Sequence, residues 1–192
     1  DSAVLLKNEN VLPLDKKEKI LVVGEMFEKY RYQGAGSSNL NPYLLTTPKQ
    51  AFDNANINYL YAKGYSADSS SIDESLENEA LTNANLYDKI IVCAGLTESY
   101  ESEGYDRKTL DIPENQLSLI NKLSKTNNVI VILFGGSTMH LPFEKNVKAI
   151  LNMYLAGQAG GEALRKIIYG EANPSGRLSE TWMKSITEIS VM

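Results

Sequence analysis

Short unbroken apolar runs alternate with segments of helical period along this chain. The runs are Lys19-Ile20-Leu21-Val22-Val23-Gly24, Ile57 to Ala62, Lys89-Ile90-Ile91-Val92-Cys93-Ala94-Gly95, Val129 to Phe134 and Ala149 to Tyr154. Runs of this length, bounded by glycine and polar residues, fit parallel strands covered on both faces. Between them, a helix opens at Thr46-Thr47-Pro48 and runs to about Ala55, with Thr as cap and Pro in the first turn. Helices are also predicted over 73–87 (Leu76, Ala80 and Ala84 inward), over 114–124 (Leu117, Ile120 and Leu123 inward) and over 162–169, where Gly170 stops the helix. Residues 2–10 read as the end of an apolar-faced helix that becomes extended through Leu12-Pro13. Ser179 to Trp182 reads as an edge strand after the turn Asn173-Pro174-Ser175-Gly176. Strands alternating with helices predict one α/β domain over 1–192, with a mostly parallel sheet of about six strands flanked by helices in three layers.

Composition removes several function classes. Hydrophobic residues make up 43% and charged residues 22%, as in ordinary globular domains. The net charge of -5, with no Lys/Arg block, argues against nucleic acid or an anionic membrane as partner. No apolar run is long enough to span a bilayer. Cys93 is the single cysteine and His140 the single histidine, so neither a disulfide nor a His/Cys metal site is expected. No cofactor is implied. The chain opens at Asp1 without Met, and is read as a piece of something longer. One cysteine and no leader favour the cytoplasm, with secretion as the alternative.

Two loops carry candidate chemistry. The first, Arg31-Tyr32-Gln33-Gly34-Ala35-Gly36-Ser37-Ser38, lacks the third glycine of a dinucleotide fingerprint and the Gly-Lys-Ser/Thr of a P-loop. Its polar residues suit the lining of a polar ligand site. The second is Glu101-Ser102-Glu103-Gly104-Tyr105-Asp106-Arg107, after the strand that ends at Gly95. Ligands of open α/β sheets sit at the carboxyl ends of the strands, and a dense set of carboxylates there is suited to acid/base work. A solvated acidic loop is the competing reading.

Five stretches in order carry a resemblance: Ser2 to Glu9 with Leu12-Pro13-Leu14; Gly34-Ala35-Gly36-Ser37-Ser38; Glu101 to Arg107 with Leu110 and Pro113; Gly157-Gln158 with Gly160-Gly161; and Asn173 to Leu178 with Thr181. Together they resemble the α/β-sandwich domain of glycoside hydrolase family 3, a family of β-glucosidases, β-xylosidases and related exo-acting enzymes. The resemblance implies a retaining site shared with a TIM-like barrel that carries the nucleophile, and a β-glycoside or oligosaccharide as substrate. This domain would supply the acid/base carboxylate. Glu103 is its first candidate, and Glu101 the rival, because the loop alignment can slip by two. Asp106 and Arg107 are expected to pair locally or brace the loop. Arg31, Ser37 and Ser38 are expected at the rim, against an aglycone or second sugar. No barrel, and no nucleophile motif of such a barrel, is present in the sequence. The isolated chain is therefore expected to be inactive. The alternative from another class is a non-catalytic carbohydrate-binding or scaffold module of the same fold.

Overall fold

Four of the five apolar runs form the middle of one sheet; the fifth, Ile57 to Ala62, becomes an edge strand that is only partly buried, because no strand covers its outer side. The structure is a computed structural model and describes residues 2–126, 128–185 and 187. In chain order the elements are β1 (Val4–Asn8), β2 (Ile20–Val23), α1 (Pro48–Asn54), β3 (Tyr59–Ala62), α2 (Glu74–Ala84), β4 (Lys89–Gly95), α3 (Glu114–Leu123), β5 (Val129–Phe134), β6 (Ala149–Asn152) and α4 (Gly160–Ile168). The six strands lie in the order β1-β6-β5-β4-β2-β3. All neighbours are parallel except β1, which runs antiparallel to β6.

Central strands need side chains that tolerate burial on both faces, and β5 is buried at every position. Each such Ile, Leu or Val contributes about 1.5–3 kcal/mol on leaving water. The chain steps from β2 to β3 in one direction and from β3 back past β2 to β4 in the other. Right-handed crossovers then put α1 on one face and α2 and α3 on the opposite face. α4 packs beside α1, and α2 beside α3, completing three layers. The order reverses between β2 and β4, which makes their carboxyl ends the switch point of the sheet.

The termini differ from the sequence reading. Residues 4–8 are a strand, because pairing with the free edge of β6 satisfies their backbone groups. Val4-Leu5-Leu6 is apolar at consecutive positions, and a run this short does not separate strand from helix. With β1 on that edge, the expected strand at 179–182 does not form. Gly176 N–H instead donates to the Ala3 carbonyl (3.0 Å), and Trp182 packs against the core. Two helix faces also differ. In α2 the buried positions include Glu77, which accepts a hydrogen bond from Ser118 (2.7 Å) and an ion pair from Lys122, while Leu76 is half-buried. In α3, Leu119 is buried and Leu117 half-buried. The cap of α1 is as read: Thr47 Oγ1 accepts from Gln50 N–H (3.1 Å), and Gln50 returns a bond to Thr47 N–H (2.9 Å).

Candidate active site

Three loops leave the carboxyl ends of β2, β4 and β5 and are tied to one another. The exit from β4 depends on Gly95. At φ +145°, a Cβ there would lie 1.9 Å from the Phe134 carbonyl oxygen of the adjacent strand. Past this close approach, residues 96–111 form the acidic loop.

Glu101 roots that loop. Its Oε2 accepts from Arg31 Nη1 (2.5 Å) and from Gly136 N–H (2.8 Å). Arg31 Nη2 also donates to the Glu101 carbonyl (2.6 Å), and Nη1 donates to that of Thr97 at 3.5 Å. Arg31 comes from the loop after β2, so this ion pair spans the switch point. The side chains are 6% and 20% exposed, which leaves little water to screen the pair. Arg31 is therefore interior, not at the rim where the sequence reading put it. Pairing with the mostly buried Glu101 carboxylate overrides the usual surface preference of arginine.

Glu103, two residues on, is exposed. Its Oε2 accepts from Ser37 N–H (2.7 Å) and from Ser37 Oγ, while Oε1 has no partner among the described residues. These Ser37 donors hold the Glu103 carboxyl below the usual carboxylate range. Ser38, also exposed, donates from Oγ to the Ala35 carbonyl of its own loop (3.5 Å), whereas Ser37 hydrogen-bonds to the acidic loop.

The far end of the loop is fastened to the segment after β5. Arg107 donates to the Thr138 carbonyl (2.6 Å), to Ser137 Oγ (3.2 Å) and to the Asp111 carbonyl (3.4 Å). Burial pulls its guanidinium below the ordinary value, against the opposing attraction of Glu101 and Asp111. Arg107 thus braces the loop through Ser137, Thr138 and Asp111, while Asp106 is exposed. Asp111 and His140 add a second fastening: Nδ1 lies 2.8 Å from Oδ1. Its hydrogen bonds with His140 and Thr109 hold the Asp111 carboxyl down. The sequence reading gave His140 no role, because its partner lies 29 residues away. Cys93 is buried in β4, where desolvation raises its thiol pKa and keeps it unreactive. Among the described residues no group of three or more His, Cys, Asp or Glu could hold a metal ion.

Of the two candidate glutamates, Glu101 is mostly buried and tied through Oε2 to Arg31 and Gly136, whereas Glu103 is exposed and held through Oε2 by Ser37. Residues 3–191 match the model of the glycosyl hydrolase family 3 C-terminal domain. The chain belongs to this family. It is 44% identical over 187 residues to thermostable beta-glucosidase B of Acetivibrio thermocellus, covering 95% of this chain and 25% of that protein. An exo-alpha-(1->6)-L-arabinopyranosidase of Bifidobacterium longum is 38% identical, over 94% of this chain and 26% of its own length. The crystal structure of the Bifidobacterium adolescentis GH3 beta-glucosidase superposes with a TM-score of 0.94 at 38% identity, covering 99% of this chain and 28% of that one. The family 3 chain described here spans about a quarter of the length of the curated relatives it matches. Those relatives are glycoside hydrolases, and the six-stranded α/β sandwich is the fold of their C-terminal domain.

Proposed function

We propose that this domain supplies the general acid/base of a retaining exo-acting β-glycosidase of the β-glucosidase type, which hydrolyses terminal non-reducing β-D-glycosyl residues. Glu103 is the residue that carries it. The observation behind the assignment is the contrast between the two glutamates. Glu101 is mostly buried, and its Oε2 is ion-paired with Arg31 and bonded by Gly136 N–H, so it is engaged in rooting the loop and offers little surface to a leaving group. Glu103 faces out and keeps Oε1 free. In a retaining mechanism one carboxylic acid protonates the glycosidic oxygen and then, as carboxylate, activates water; a second carboxylate about 5–5.5 Å away is the nucleophile.

The Ser37 donors favour the ionised form, whereas the first step needs the acid. Covering Glu103 with a second wall would desolvate it and shift the balance toward the protonated form. A barrel domain carrying the nucleophile is that wall in this reading, and the 192-residue chain alone is inactive. Ser37 lies beside the reacting oxygen; Arg31 and Arg107 act on loop geometry. The sugar is selected on the barrel side: relatives sharing this domain at 38–44% identity are named for glucosides and for L-arabinopyranosides.

The test is hydrolysis of nitrophenyl β-glucoside and β-xyloside by the protein that joins this domain to its barrel, with Glu103→Ala and Glu101→Ala compared with wild type. Glu103→Ala is expected to lose turnover and to recover it with azide, giving the glycosyl azide, because nitrophenolate leaves without acid help. Recovery by azide in Glu101→Ala alone would move the assignment to Glu101. Full activity in both would leave a non-catalytic carbohydrate-binding or scaffold module.

A further inference from the structure

The loop on which Glu103 rests is built as a rigid holder. Gln33 closes it like a cross-strand pair: its Oε1 accepts from Leu40 N–H (2.9 Å) and its Nε2 donates to the Leu40 carbonyl (3.0 Å). The same Nε2 also reaches Tyr32 Oη at 3.1 Å, and Asn39 N–H closes a turn on the Gly36 carbonyl (3.1 Å). Gly36 sits at φ +86°, and a Cβ there would lie 2.8 Å from both Cβ and Oε2 of Glu103. The holder thus has no side chain where the carboxylate sits, and it ends in the Ser37 N–H and Oγ.

We propose that Ser37 is a positioning residue for Glu103: its two donors claim Oε2, so that the proton transferred in catalysis resides on Oε1. The inference rests on Glu103 being the acid/base. A backbone N–H can only donate, so a proton on Oε2 would oppose it; Oε1 has no such neighbour. Ser37 therefore selects which oxygen faces the glycosidic bond and fixes its direction, as second hydrogen bonds do for catalytic side chains in general. The electrostatic setting is simple. Residues 33–40 carry no titratable side chain. On its own loop, Glu101 is matched by Arg31, Tyr105 and Asp106 are exposed, and Arg107 spends its donors on Ser137, Thr138 and Asp111. The two Ser37 donors are the main influence on this carboxyl, and they hold it down.

The experiment compares wild type, Ser37→Ala and Ser37→Thr by two readouts. One is the 13C titration of the Glu103 carboxyl in this chain, with its resonance identified by Glu103→Gln. The other is the pH profile of kcat/KM in the barrel-joined protein. Ser37→Ala removes a donor to the anion, so the titration moves to higher pH. The alkaline limb, where the acid is lost, moves the same way. Ser37→Thr restores both, because it keeps the hydroxyl. A loss confined to folding would lower activity at every pH without moving the limb. An unmoved Glu103 titration in Ser37→Ala overturns the role of Ser37, and leaves the acid/base assignment standing if Glu103→Ala is still inactive. A moved titration with an unmoved limb also overturns it; retained activity in Glu103→Ala then places the error in the assignment of Glu103 itself.

Discussion

Replacing Arg31 with Met measures what holds the acidic loop. The substitution keeps much of the buried stem but removes the donors at 2.5 and 2.6 Å from Glu101. Glu101 then keeps only the Gly136 N–H, at 2.8 Å, for a carboxylate four-fifths withdrawn from water. Breaking a buried ion pair from one side costs about 3–5 kcal/mol. Because Glu101 retains some water and one donor, the low end applies, about 3 kcal/mol. Glu101→Gln costs somewhat less, about 2 kcal/mol, since the amide oxygen still accepts from Arg31 and Gly136 while the guanidinium loses its counter-charge. The double variant leaves no unmatched charge, so the two costs do not add, and the coupling is about 1.5–3 kcal/mol. Urea unfolding of the four proteins gives the cycle. Calorimetry of Arg31→Met should show a fall in Tm of about 6–12 °C for a domain of this size. A loss below about 1 kcal/mol with additive single variants would be the behaviour of an exposed pair, and would refute the claim that this contact roots the loop.

Two further outcomes follow from the same loops. Gly95→Ala should prevent soluble expression or cost more than about 4 kcal/mol by chemical denaturation, because its Cβ meets a carbonyl oxygen at 1.9 Å and the positive φ leaves no relaxed alternative. Asp111→Asn should cost under about 1 kcal/mol at neutral pH, discounted because its side chain is 49% exposed. The Asp111 carboxyl is held low in the folded state, so this contribution is present above the ordinary carboxylate value and fades as pH falls through the lower folded one. Unfolding of the two proteins at neutral pH and in acid should therefore converge in acid.

The sheet was legible because its physics is local. Unbroken runs such as Val129 to Phe134 can be satisfied only by burial on both faces, and the Thr47-Gln50 cap is written within four residues. The acidic loop, the family and the two candidate glutamates were likewise readable as motifs. Spacing does not report partners, however. Val4-Leu5-Leu6 became a strand because β6 offered a free edge at residues 149–152, far along the chain. Arg31 and Glu101 are 70 residues apart, Ser37 and Glu103 are 66 apart, and Asp111 and His140 are 29 apart. The sequence by itself determined the strands, most helices and which loop holds the carboxylates. Only the tertiary structure decided that Arg31 turns inward, that Glu101 is paired with it and mostly buried, and that Glu103 stays exposed on the Ser37 donors. Those outcomes depend on which donors the crossovers bring to the switch point between β2 and β4, and long-range proximity of that kind leaves no periodic trace in the order of residues.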